Sequence, residues 1–270
     1  MFWVGLGLAL ISAVAVNWAY ALEHDAASQL PPLTFSQPIR SARLLLGARP
    51  WLYAFALETA GWILYVVALA ISALSLVQAV SAAGIAVLAL VGARGNIRAI
   101  PGRQRAAVGV AMVGLLLLGL SLRDAHQTDH VPSLLGVVIW LGACGAGALV
   151  ALHGLRSWVP AARFGLAGGL FFAVGDISAK LVGYGGTWLL AALPLIAGYA
   201  LGTSLLQGGY QRGGALTTAG IATLTTNTIP IVAGFILFGE RLPHGASGGL
   251  QLAAFCSIVV SATLLGRRSL

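Results

Sequence analysis

Acidic side chains are nearly missing from this chain: seven Asp and Glu stand among 270 residues, and charged residues of both signs reach only 8%. A soluble domain of this length carries about a quarter of its residues charged, so a water-soluble globular protein is excluded. Lysine is scarcer still, with Lys180 alone against fourteen arginines. Cysteine occurs twice, at Cys144 and Cys256, with no spacing for a disulfide framework, a redox pair or a zinc set. Both read as small packing residues inside apolar runs. No phosphate-cradling glycine loop, dinucleotide fingerprint or separable Ser/His/Asp arrangement is present. The chain therefore reads as a non-enzyme that needs no cofactor.

What fills the space is apolar. Hydrophobic residues make up 59% of the chain, the mean hydropathy is +0.92, and 36 glycines supply the small surfaces on which membrane helices pack. This composition predicts an all-α polytopic membrane protein. The formal charge of +8 is no argument for a nucleic-acid partner, because the arginines cluster in short loops, as a positive-inside bias requires.

The stretch 51–94 organises the rest. It reads as two spans joined by almost no loop, with a lone carboxylate, Glu58, in the first and a polar Gln78 in the second. Apolar runs of about 20 residues cross a bilayer, and nine are expected. The first covers 2–22, with no basic segment ahead of it to mark a signal peptide, and a loop or interfacial segment follows at 23–50. The hairpin gives spans two and three, and 106–122, 133–153, 164–182, 187–209, 214–238 and 247–265 give the other six. Alternate loops split the basic residues strongly, with Arg40, Arg43, Arg49, Arg94, Arg98, Arg103 and Arg105 among those on one side. That split places the N-terminus outside and the C-terminus in the cytoplasm of a plasma-membrane protein. Residues 74–94 lie over 221–241 without gaps, and the two segments run oppositely through the membrane. This suggests two inverted repeats, residues 1–132 with four spans and 133–270 with five.

The polar residues inside spans are the candidates for chemistry, since a charge at the bilayer centre costs about 2.5–3.5 kcal/mol on insertion scales. Glu58 can hold a cation or a proton, although it stands only about two turns from the interfacial Trp51. Tyr65 lies two turns further on the same face. Asp176 and Lys180, four residues apart, either neutralise each other or form a gate or second site. Span eight carries a run of threonines with Asn227 and an internal Pro230, a set that either lines a polar path or glues helices together. In the loop 123–130, His126, Asp129 and His130 have a spacing that can meet a divalent metal, against the ordinary outcome of a solvated loop.

With those residues in place the chain resembles the drug/metabolite transporter superfamily, and most closely the NIPA-type magnesium transporters. The similarity runs from the opening WVGLGLALISAV at 3–14, through Glu58 with Tyr65 and the position of Lys180, to NTIPIVAGFILFGERL at 227–242. It implies a secondary transporter working by alternating access, with magnesium as a possible cargo. The expected site comprises Glu58, Tyr65, Gln78, Asp176, Lys180 and Asn227, in contact with a small solute or cation. The alternatives are a flippase or exporter of an amphipathic or lipid-linked solute, and a non-transporting subunit bound to a membrane partner or to a second copy.

Overall fold

In lipid, backbone N–H and C=O groups find no partner except each other, and a chain of Ala, Leu, Val and Gly meets that demand with helix. The structure, a computed structural model, describes residues 2–33, 37–71, 84–121, 131–155, 157–239 and 245–266. Its helices are α1 (Phe2–Ser28), α2 (Pro38–Gly47), α3 (Arg49–Ile71), α4 (Gly84–Gly92), α5 (Gly102–Ser121), α6 (Leu134–Gly154), α7 (Pro160–Val182), α8 (Ala192–Tyr210), α9 (Ala215–Ile236) and α10 (Ala246–Gly266). Among the described residues, five segments are long and apolar enough to cross a membrane: Leu134–Gly154, Pro160–Val182, Gly186–Tyr210, Ala215–Ile236 and Ser247–Gly266.

Helix boundaries depart from hydropathy where backbone chemistry and apolarity disagree. α1 does not stop at the first charge, because Glu23 to Ser28 holds no glycine or proline to break it. The segment entering α8 is a 3-10 turn, Gly186–Ala191, and Pro194 then sits in the first turn of the α-helix, where it costs no internal hydrogen bond. α5 starts at Gly102 directly after Pro101, so Arg103 and Arg105 lie on its first turns and not in a loop. α4 ends where Gly95, at φ +80, returns its N–H to Leu90 O at 2.9 Å, a backbone angle that glycine takes without strain.

The core lies along α7 and α9, each of which has thirteen buried positions. Glycines on two sides of α7 set the packing. Gly165 and Gly169 face α9, where a Cβ would stand 2.3 Å from Thr218 O and 2.8 Å from Ala222 O. Gly168 and Gly175 face α8, against Gly202 and the ring of Tyr199. The glycine set thus serves two neighbours at once. α1 packs on α3, where Gly61 meets Ala15 and Val16, and also touches α4, α8 and α9. α5 packs on α10, and Ser261 Oγ donates to Ala107 O at 2.8 Å across that contact.

α6 is peripheral. It packs on α7 and leaves Leu134, Leu135, Val138, Ile139, Leu149 and Val150 exposed, an outer face suited to acyl chains. Cys144 is buried on its inner side, but Cys256 lies on the exposed side of α10, so only the first cysteine is a packing residue.

Candidate functional site

α1 supplies the residue that hydropathy left in a loop. Glu23 is fully buried, one turn beyond Tyr20 on the same face. α3 runs alongside, held close by Gly61, and brings Glu58 within hydrogen-bonding reach of both Glu23 and the Tyr20 hydroxyl. α8 closes the set: Gln207 Nε2 donates to Glu23 Oε2 at 2.5 Å, and Tyr210 follows one turn later, within electrostatic range of Glu23 and Glu58.

Among the described residues, Gln207 Oε1 and the Tyr210 hydroxyl have no hydrogen-bond partner, and Glu23 Oε1 has none besides the Glu58 carboxyl. An orphaned buried polar group costs about 1–3 kcal/mol, so these oxygens are ones that a cation or its waters can take. Glu23, Glu58 and Asp176 form no ion pair among the described residues. Two carboxylates in contact are accommodated when a proton or a cation lies between them. The donor set is otherwise neutral amide and phenol oxygen, which suits a hard cation. Among the described residues no three His, Cys, Asp or Glu gather into a metal cage.

A second polar group lies further along. Asp176 of α7 accepts from Tyr199 of α8 at 2.6 Å and from Thr226 of α9 at 2.9 Å. The pairing with Lys180 that the four-residue spacing allows is not made. Asp176 turns to those hydroxyls, and the Lys180 ammonium lies 4.0 Å over the ring of Phe238. Trp62 of α3 meets Tyr199 edge to face at 6.2 Å. Tyr65 packs with Ala9 and Ala68 and lies within electrostatic range of Asp176. Tyr20 lies within electrostatic range of both groups, of Glu58 and Glu23 on one side and of Asp176 on the other.

The threonine-rich α9 contributes one side chain to these groups. Thr225, Asn227 and Thr228 bond back to the carbonyls of Ile221, Thr223 and Leu224 at 2.7–2.8 Å, while Thr226 alone reaches across. Asn227 thus spends one amide N–H on its own helix and keeps its Oδ1 for other partners. Gln78, His126, Asp129 and His130 lie outside the described residues.

The Glu23 end is latched. Gln211, one turn past Gln207, donates through Nε2 to Ala27 O at 3.0 Å, Leu30 O at 3.2 Å and Pro31 O at 3.1 Å, and its Oε1 accepts from Leu33 N at 2.9 Å. His24 Nε2 meets Gly213 O at 3.1 Å, and its ring stands edge-on to Tyr210. Each such bond is worth about 0.5–1.5 kcal/mol net. Gln211→Ala is therefore expected to speed amide exchange of Leu33 by about tenfold or more, read by hydrogen exchange. Unchanged exchange at Leu33 would show that the latch is not what holds this loop.

Sequence reasoning found Glu58 and Asp176 as charges inside apolar runs. It missed Glu23, Gln207 and Tyr210. The usable signal was Tyr20 and Glu23 at helical spacing in a stretch without helix breakers.

Comparison with known proteins gives one distant likeness. The chain is 22% identical to the probable magnesium transporter NIPA9 of Arabidopsis thaliana, over 93% of this chain and 78% of that protein. No family model matches the chain. No solved structure matches it either.

Proposed function

We propose that the protein is a NIPA-like membrane transporter that carries a divalent cation such as Mg2+, with Glu23 and Glu58 as the anionic ligands. The observation that carries the reading is Glu23: fully buried, within hydrogen-bonding reach of a second carboxylate, with an oxygen that accepts from no amide or hydroxyl among the described residues. Magnesium takes oxygen ligands, retains several waters and is usually held by one or two carboxylates. A carboxylate pair matches the charge of one such ion, and Gln207 Oε1, Tyr20 and Tyr210 offer oxygens to the ion or to its waters. The distant magnesium-transporter relative supports the same substrate class.

Nine spans and alternating access complete the reading. α1, α3 and α5, at 27, 23 and 20 residues, have the length to cross beside the five apolar segments, and α4 would end the remaining span. Two inverted repeats are supported by matched packing. Laying α1 on α7 with Gly5 over Gly165 also superposes Leu6 on Leu166, Leu10 on Leu170, Ala13 on Ala173 and Val14 on Val174. That register puts Ala15 over Gly175, and both take part in the close approach of the next span: a Cβ at Gly61 would stand 3.2 Å from Ala15 Cβ, beside a nearer Val16, and one at Gly198 would stand 2.8 Å from Gly175 N, beside a nearer Phe171 O. With Gly61 over Gly198, Trp62 falls on Tyr199, and these two rings touch each other. Equivalent residues meeting is what a two-fold axis between repeats requires. The repeats are then α1, α3, α4, α5 and α7, α8, α9, α10, with α6 the extra helix of the second half. With the N-terminus outside, the latched end faces the cytoplasm.

The test is Mg2+ entry into proteoliposomes carrying a trapped indicator, beside vesicles containing a labelled lipid. Saturable Mg2+ uptake is the expected result. Lipid scrambling without Mg2+ uptake would overturn the reading in favour of a lipid exporter. Neither activity, with a stoichiometric co-purifying protein, would favour a partner subunit.

A further inference from the structure

We propose that α2 docks on an anionic bilayer surface, its arginines taking phospholipid phosphates. This rests on α1 and α3 being membrane spans. α2 has no buried residue. Ile39 and Leu46 are 71% and 59% exposed, and together with Ala42 they occupy one side of the helix at spacings of three and four. Arg40 and Arg43 project from the adjoining side. In water such an apolar stripe is a liability, whereas a short helix between two spans can lay it into the boundary between headgroups and acyl chains.

Three observations place α2 at that depth and choose its lipid. A single residue, Ala48, separates α2 from α3, and Tyr53, 75% exposed one turn into α3, is an aromatic of the kind that settles at headgroup level. The loop ahead of α2 is pinned to α8 by Gln211, so both ends of the segment are held near one membrane face. Residues 26–57 contain no Asp or Glu, while Arg40, Arg43 and Arg49 are basic. Arg40 gives one N–H to Gln37 Oε1 at 2.9 Å, and Arg40, Arg43 and Arg49 form no ion pair among the described residues. A surface of exposed arginines beside exposed apolar side chains has its complement in an anionic leaflet.

Each arginine near such a leaflet is worth about fivefold in partition, so three give on the order of a hundredfold. The experiment is hydrogen exchange on the full chain in nanodiscs of phosphatidylcholine alone or with about 30 mol% phosphatidylglycerol. Amides of α2 should exchange at least about tenfold more slowly with the anionic lipid, and about 0.5 M salt should remove the difference. The triple variant R40Q/R43Q/R49Q should remove it as well, with α1 and α3 slow throughout. Equal exchange in both lipids, or slowing that survives the triple substitution, overturns the proposal. Rapid exchange along α1 and α3 themselves has a different signature: it overturns the span reading and this docking with it.

Discussion

Glu23→Gln is expected to abolish Mg2+ transport while leaving the protein folded. The amide keeps the shape of the side chain and can still bond Gln207, but it removes one of two negative charges from a site whose carboxylates form no ion pair among the described residues. Even an outer partner of a metal ligand is worth about 10–100-fold in affinity, so a loss of about 100-fold or more in uptake is expected. Glu58→Gln should fall as far. Because the two residues touch, the double variant should be little worse than either single one, a coupling read as non-additivity. Unchanged uptake in Glu58→Gln removes that residue from the mechanism. If Glu23→Gln alone transports normally, the site lies with Asp176, Tyr199 and Thr226 instead.

The largest stability effect is expected at Gly165. An added Cβ would stand 2.3 Å from Thr218 O and 3.1 Å from Thr218 C, both backbone atoms that cannot swing aside. Gly165→Ala must therefore push α9 away from α7. Overpacking of this kind costs about 1–3 kcal/mol, or roughly 5 °C in the melting midpoint in detergent. The matched control is Gly142→Ala on α6, where nothing lies within 4 Å of the new Cβ and the midpoint should hold. Movement of α9 also strains the Thr226–Asp176 bond, so a fall in uptake should accompany the melting shift. Equal midpoints for the two variants would mean that the α7–α9 contact does not limit stability.

The sequence by itself determined the class of this protein: long uncharged apolar runs leave the backbone no partner but itself, so helices of membrane-crossing length are the outcome. It also singled out Glu58 and Asp176, because a carboxylate inside such a run is costly and conspicuous. It could not assign Glu23, since an acid at the end of an apolar run looks the same whether it meets water or a neighbouring helix. Nor could it choose between Lys180 and the hydroxyls as partners of Asp176, because four-residue spacing permits an ion pair without requiring one. Those choices belong to the tertiary structure. Glu23 is buried because α8 presents Gln207 at its depth, and Asp176 bonds Tyr199 and Thr226 because the glycines of α7 let α8 and α9 come close enough for short side chains to meet. Helical periodicity sets which face a side chain occupies, and only the packing of one helix on another sets what that face meets.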